Sequence, residues 1–135
     1  MMSTILDKIA DIQPLYTGHP CTLEQLEDAQ RKLGITFPNS YANLLKKYGI
    51  ISFYATEWNG LNTDSYLNVV FCTLEERKRY PAFPNNMFVL ENIGIDGILT
   101  LCDEKGIIYS WQDGSCYKLS DSLSSYLDIC IERNK

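Results

Sequence analysis

The sequence predicts an α+β fold: N-terminal helices, then a central, mainly antiparallel sheet of about five to six strands, then a C-terminal helix packed on the sheet. Apolar residues recur with a helical period up to Gly49. Beyond it the chain changes to short runs rich in Val, Ile, Tyr and Phe, separated by turn residues, and it ends on a second helical stripe. Consecutive strands joined by short turns pair antiparallel, and helices on either side of such a run are typical of α+β proteins.

The first helix is predicted over Thr4–Ile12, with Thr4 as its cap and isoleucines along one face. Pro14 ends it, and Gln13–Cys21 is predicted to be a loop because it contains two prolines and a glycine. This loop leads into a pair of helices.

The helix pair spans Thr22–Gly49. Thr22 and Gln25 have the spacing of a capping box, and Gly34 follows the last apolar position, where a left-handed residue closes a helix. The segment 37–40, Phe-Pro-Asn-Ser, restarts the chain, with its Asn or Ser as the expected cap. Gly49 ends the second helix.

The remaining elements follow from short β-rich runs and turn signals. Strands are predicted over Ile50–Ala55 and Tyr66–Phe71, separated by a turn at Glu57–Leu61, and a short helix over Thr73–Tyr80. Four further strands are predicted at Met87–Glu91, Ile98–Cys102, Ile107–Trp111 and Cys116–Leu119. The Asp-Gly pairs at 96–97 and 113–114 suit turns that need positive φ. A last helix, capped by Ser120 or Asp121, carries the apolar stripe Leu123, Tyr126, Leu127, Cys130 and Ile131.

Composition favours an ordinary globular protein. The chain has 135 residues, 45% of them hydrophobic and 21% charged, which fits one domain. No apolar run approaches the roughly 20 residues that span a bilayer. The N-terminus has no basic region followed by an apolar one, so we expect no secretory signal and a cytoplasmic location.

The cysteines and the single histidine suggest no metal, cofactor or catalytic site. The five cysteines form no CxxC or Cys/His cluster, so we expect reduced and mostly packed thiols. His19 lies in a Gly-His-Pro loop, a setting more typical of a surface residue than of a catalyst. The chain contains no P-loop, GxSxG or HExxH motif. We therefore expect a protein that is not an enzyme; an enzyme would have to use His19 or one of the cysteines.

The order of signals within Thr22–Gly49 resembles the signature of the SUKH superfamily, which includes bacterial immunity proteins and the yeast cell-wall-synthesis regulator. These signals are a capping Thr, LxxA, LG, an aromatic-Pro pair, Ser-Tyr, LL and YG. Gly60-Leu61 and the later pieces VLENIGIDG, ILTLCDE and IYSW resemble the family more loosely. The resemblance implies one SUKH-like domain over residues 1–135, acting by recognition rather than by catalysis.

Charge favours a protein partner over nucleic acid. The net charge is −5, and all of the excess acid lies beyond residue 50. An acidic chain without a Lys/Arg stripe repels phosphates, but it can attract a basic protein. Solubility alone would also explain a charge of this size.

The candidate partner-binding residues are acids in predicted turns together with one tryptophan. Trp111 alternates with other apolar residues on a predicted strand, which favours the core, whereas Trp58 could be either a core residue or an interface anchor. The predicted site comprises Glu57, Trp58, Asp64, Asp96, Asp103, Glu104 and Asp113. The pair Asp103 and Glu104 could also simply form a polar turn.

The resemblance implies an immunity protein that binds and neutralises a cognate toxin, such as a nuclease. We expect an acidic surface around the turns of the sheet to occlude or mimic the substrate of a basic effector domain. No nucleic acid or membrane partner is expected, and both monomer and dimer remain open. The alternative is a regulatory scaffold that binds an endogenous protein.

Overall fold

The computed structural model describes residues 4–133 and confirms the α+β class. The helices are α1 (Ile5–Ala10), α2 (Leu23–Leu33), α3 (Asn39–Tyr48), α4 (Val69–Arg79) and α5 (Leu123–Arg133), with a 3₁₀ turn at Ser65–Leu67. The strands are β1 (Tyr16–Thr17), β2 (Ile51–Phe53), β3 (Thr56–Trp58), β4 (Met87–Asn92), β5 (Leu99–Asp103), β6 (Ile108–Gln112) and β7 (Ser115–Ser120).

The strands form two antiparallel sheets instead of the one central sheet that was predicted. The three-stranded sheet has the order β1-β2-β3 and the four-stranded sheet the order β4-β5-β6-β7. The sheets adjoin at Asn59, whose backbone N–H donates to the carbonyl of Leu90 at 2.7 Å. The side chain of Asn59 also donates to the carbonyl of Val89 at 3.0 Å.

The helix pair forms largely as the sequence predicts. The Thr22 hydroxyl accepts a hydrogen bond from the backbone N–H of Gln25, and the Gln25 side-chain oxygen accepts one from the Thr22 N–H. At the other end, Gly34 closes α2 with φ 68°. The prediction that Asn or Ser caps α3 is wrong, because Pro38 occupies the cap position and no side chain caps the helix. The Pro38 carbonyl accepts from the N–H groups of Tyr41 and Ala42 instead.

The largest correction concerns residues 65–80, where the strand predicted over Tyr66–Phe71 does not exist. Helix α4 begins at Val69, four residues before the predicted Thr73. The Asn68 side chain accepts from the backbone N–H groups of Val70 and Phe71 at 2.9 and 3.1 Å. A good cap and the tertiary packing of the helix outweigh the β propensity of its first turn.

Smaller corrections concern the ends of other elements. The strand predicted over Ile50–Ala55 ends at Phe53, because Tyr54 turns the chain with φ 52° and β3 returns from there. The predicted turn at Glu57 therefore begins inside β3. The predicted loop before α2 contains the short strand β1. The first turn of α5 is capped by Ser122, whose hydroxyl accepts from the Ser125 N–H at 3.0 Å, not by Ser120 or Asp121.

Two hydrophobic clusters lie on opposite faces of the four-stranded sheet. The larger cluster is enclosed by α1, α2, α3 and α5, and it includes Tyr41, Phe88 and Leu127. The smaller cluster lies beside α4 and comprises Phe83, Met87, Val89, Leu101 and Trp111. Strands β4, β5 and β6 are thus mostly buried, whereas β7 is exposed except at Ser120.

Two glycines allow three backbone segments to stack closely. A Cβ at Gly60 would lie 1.8 Å from the carbonyl oxygen of Gly49. A Cβ at Gly49, where φ is 76°, would lie 2.1 Å from the carbonyl oxygen of His19. Only glycine permits this approach, so these two positions fix how the segment before α4 lies against the end of α3.

Candidate partner-binding surfaces

The predicted site residues do not form one surface. Asp96 and Asp113 come together at one end of the four-stranded sheet, called here the acidic sheet end. Both are exposed, and the Gln112 side chain on β6 donates to the Asp96 carbonyl at 3.0 Å. Their φ values of 52° and 48° confirm the positive-φ turns predicted from the Asp-Gly pairs.

Asp103 and Glu104 lie at the opposite end of the sheet. Asp103 is buried, and one of its carboxylate oxygens accepts from the N–H groups of Lys105 and Ile107, at 2.9 Å each. Its carboxylate therefore shapes the β5–β6 turn and points inward. Glu104 is exposed and accepts from the Thr36 N–H at 3.2 Å, which ties this turn to the loop between α2 and α3.

The remaining two acids are exposed but lie elsewhere. Glu57 is on β3 of the three-stranded sheet, opposite Ser52. Asp64 precedes the 3₁₀ turn that leads into α4. The five exposed acids of the predicted site therefore lie in several separate regions of the surface.

Both tryptophans are core residues. Trp111 is buried, as favoured from its strand position, and its Nε1 donates to the Glu76 carboxylate at 2.8 Å. Trp58 is fully buried and stacks on Tyr126 with ring centroids 5.9 Å apart. For Trp58 the structure therefore supports the core alternative over an exposed interface anchor.

The sequence reasoning missed a buried polar cluster that holds α5 to the sheets. Tyr126 donates to Glu91 at 2.5 Å and lies 2.9 Å from the Thr100 hydroxyl. Arg133 pairs with Glu91 and donates to the Thr56 hydroxyl at 3.1 Å. Burial raises the pKa of Glu91, while the Tyr126 hydrogen bond and the Arg133 charge oppose that shift. The available signal was a carboxylate directly after the apolar run at residues 87–90 of β4.

A second missed carboxylate holds α4 to the other face of the sheet. Besides accepting from Trp111, Glu76 lies 3.9 Å from the guanidinium of Arg79. One turn further on, the Tyr80 hydroxyl donates to Asp113 at 2.7 Å, and this hydrogen bond raises the pKa of Tyr80. Asp113 therefore anchors the end of α4 as well as adding charge to the acidic sheet end.

A groove lies between α2 and α4, and sequence reasoning did not predict it. Its volume is about 700 Å³. It is lined on one side by Gln25, Asp28, Ala29 and Lys32 of α2, on the other by Val70, Phe71 and Leu74 of α4, and at one end by Leu61, Asn62, Thr63, Ser65 and Asn68. We call it the α2–α4 groove.

The described residues offer little for catalysis. Within residues 4–133, no three His, Cys, Asp or Glu side chains are placed to hold a metal ion. The five cysteines are free thiols. Burial raises the pKa of Cys102, and it raises that of Cys130 to about 12, so neither is a thiolate nucleophile at neutral pH. His19 is exposed. None of the described helices has the length and apolar character needed to cross a membrane.

The architecture defines a small α+β protein whose candidate sites are surfaces rather than a catalytic cluster. The SUKH_6 family model, described as SMI1-KNR4 cell-wall, matches residues 23–127. The chain belongs to this SUKH family, which includes immunity proteins and whose domains are generally non-catalytic. No curated protein matches the chain.

Proposed function

We propose that the protein is a non-catalytic immunity protein that binds and neutralises a cognate toxin, such as a nuclease, in the cytoplasm. The observation that carries this proposal is the family match over residues 23–127, because the family includes immunity proteins. Residues 1–135 would act as one recognition domain. The net charge of −5 supports a basic effector domain as the partner.

The acidic sheet end is the surface we assign to the first contact with that effector. Asp96 and Asp113 project from neighbouring turns, and Ile95 beside them is 61% exposed. An apolar residue among acids combines buried contact area with electrostatic steering. Glu57, Asp64 and Glu104 add negative charge on other parts of the surface and would assist steering. Trp58 and Asp103 are not included, because both are buried.

Co-purification from the native cells tests the proposal. The tagged protein is recovered at moderate salt, bound polypeptides are identified by mass spectrometry, and the recovered partner is then expressed with and without the protein. We expect one near-stoichiometric partner with a basic toxin-like domain, whose expression stops growth unless the protein is present. A partner that is harmless when expressed alone would contradict the proposal.

A charge-neutral variant tests the acidic sheet end. Asp96→Asn with Asp113→Asn removes both charges, while asparagine tolerates the positive φ of both turns. The matched control is Asp11→Asn with Asp128→Asn, two exposed acids near the contact between α1 and α5. We expect slower association with the toxin for the first variant only. Equal association rates for the two variants would contradict this assignment.

The second candidate function is a regulatory scaffold that binds an endogenous protein. The description of the matching family as SMI1-KNR4 cell-wall favours it. Recovery of only kinases or cell-envelope regulators in the co-purification would support this alternative over immunity.

A further inference from the structure

Strand β7 is an open edge of the four-stranded sheet. It pairs with β6 on one side, and within residues 4–133 no strand pairs with its other side. The residues from Ser115 to Leu119 are all exposed. The opposite edge of the sheet differs, because β4 adjoins β3 through the hydrogen bonds of Asn59. The open side of β7 therefore presents a row of backbone N–H and C=O groups that another strand can bind.

The register of the β6–β7 hairpin shows which backbone groups of β7 face outward. The two-residue turn at 113–114 has positive φ at both positions, so the pair that Ser115 makes with β6 beside this turn is hydrogen-bonded. Hydrogen-bonded and non-hydrogen-bonded pairs alternate along antiparallel strands. The backbone groups of Ser115 and Tyr117 therefore face β6, and those of Cys116 and Lys118 face away from it.

The side chains of β7 do not protect this edge against pairing. Edge strands are usually blunted by unpaired charges or by proline. Here Tyr117 is 64% exposed and Leu119 is 39% exposed, and Cys116 is exposed as well. The strand has one charged side chain, that of Lys118, and it forms an ion pair with Asp121. The edge is therefore largely apolar, and the charge of its lysine is locally balanced.

The helices leave room for a second strand beside β7. On one face of the sheet, Tyr126 of α5 contacts Glu91 of β4 and Thr100 of β5. On the other face, the Thr73 hydroxyl of α4 accepts from the N–H of Val89 on β4 at 3.0 Å. The exposure of β7 shows that neither helix covers it. A strand that approaches this edge meets no helix on either face.

One antiparallel register matches β7 to a second copy of itself. With Tyr117 opposite Tyr117 of the second copy, Cys116 lies opposite Lys118, and each of these two symmetry-related pairs exchanges two backbone hydrogen bonds. A shift by one residue sets outward-facing backbone groups against inward-facing ones. A shift by two residues places Lys118 opposite Lys118 of the second copy, or opposite Gly114 in the turn. The strand is thus self-complementary in a single register.

We propose that β7 pairs antiparallel with β7 of a second copy of this chain, joining two four-stranded sheets into one continuous sheet. The two Tyr117 rings form a cross-strand aromatic pair at the twofold axis. Each acidic sheet end adjoins the start of its own β7, so the antiparallel arrangement places the two acidic ends at opposite ends of the paired strands. This dimer goes beyond the proposed function, and it presents two separate acidic surfaces to partners.

Disulfide trapping tests the register on the full chain. Tyr117→Cys and its control Ser115→Cys are each combined with Cys116→Ser, which removes the exposed native thiol. The Cα atoms of the two residues 117 lie about 4.5 Å apart in a non-hydrogen-bonded pair, within the range of a disulfide. The two residues 115 lie about 13 Å apart along the strands.

Under mild oxidation we expect Tyr117→Cys to form a disulfide-linked dimer and Ser115→Cys to remain a monomer, as read by non-reducing gel electrophoresis. Cross-linking of both variants to the same extent, or of neither, would overturn the proposal.

Sedimentation equilibrium measures the association without any cross-link, in salt that screens the repulsion between two chains of net charge −5. We expect a reversible dimer for the wild type and for Lys118→Thr, which keeps the backbone N–H. Lys118→Pro removes this outward donor, and proline is tolerated where a strand N–H faces solvent. It should weaken dimerisation about tenfold or more, because one hydrogen bond is lost in each symmetry-related pair.

A wild type that is monomeric at every concentration would overturn the proposal and leave the edge of β7 to a strand of another protein. Equal dimerisation of Lys118→Pro and Lys118→Thr would also overturn it. Because neither experiment contains a toxin, the dimer can fail while neutralisation stands, and neutralisation can fail while the dimer stands.

Discussion

The two faces of the four-stranded sheet are covered to different degrees. On the face covered by α5, Trp58 stacks on Tyr126 and the Glu91–Arg133 pair closes the end of the helix. On the opposite face, α4 is held through Glu76 and Trp111, yet its outer side faces the α2–α4 groove. Helix α5 thus serves mainly to cover the sheet, whereas α4 in addition leaves apolar surface exposed in the groove.

Removing the charge partner of Glu91 should have the largest effect on stability. Arg133→Met leaves a buried carboxylate without its cation, which costs about 3 kcal/mol of unfolding free energy. This is the low end of the usual range, because 34% of the Arg133 side chain is exposed and screened by solvent. Urea denaturation measures the loss. The control is Lys8→Met, which breaks the surface ion pair between Lys8 of α1 and Asp128 of α5. It should cost less than about 1 kcal/mol of unfolding free energy.

Trp111→Phe tests how α4 is attached to its face of the sheet. The change leaves Glu76 without the indole N–H while keeping an aromatic ring against Phe83, so we expect a loss of about 2 kcal/mol. Hydrogen exchange should show faster opening of α4 than of α5. Equal acceleration in both helices would contradict the separate attachment of the two helices.

The pH dependence of stability should report on Glu91, which lies on the face covered by α5. The pKa of Glu91 is raised in the folded state above its ordinary value of 4.5, so the folded protein holds this proton more tightly than the unfolded chain. The contribution of Glu91 to stability is therefore greatest below that ordinary value and falls as pH rises through the folded pKa. The difference in unfolding free energy between wild type and Glu91→Gln should decrease between about pH 4 and about pH 7. An increase over that range would contradict the raised pKa.

Phe71→Ser should have the smallest effect on stability. Its ring is half exposed in the groove, so we expect the unfolding free energy to change by less than about 0.5 kcal/mol. Thermal unfolding of the variant beside Ile129→Ser checks this. A loss above about 2 kcal/mol would show that Phe71 serves the core rather than an open surface.

The sequence predicts those parts of the fold that local patterns specify. The capping box at Thr22, the closing Gly34 and the two Asp-Gly turns are set by neighbouring residues, and all of them are confirmed. The predicted start of α4 is wrong because Val69, Val70 and Phe71 favour strands, and the Asn68 cap together with tertiary packing makes them helical.

The site was less predictable than the fold, because exposure and proximity depend on contacts distant in sequence. Asp103 and Glu104 are neighbours, but only Glu104 is exposed. Asp96 and Asp113 meet only because β4, β5, β6 and β7 pair in chain order. The groove joins α2 to α4 across more than 35 residues of chain, and no local pattern indicates that pairing.

Recovery of the native partner by the double variant Asp96→Asn, Asp113→Asn and by its control Asp11→Asn, Asp128→Asn, quantified together by isotope-labelled mass spectrometry, tests most directly whether the acidic sheet end is a binding surface. Both variants should be folded and recovered in equal amounts. We predict that the control retains the partner at the wild-type ratio, while Asp96→Asn with Asp113→Asn loses about half of it or more. Equal retention by the two variants would contradict the account.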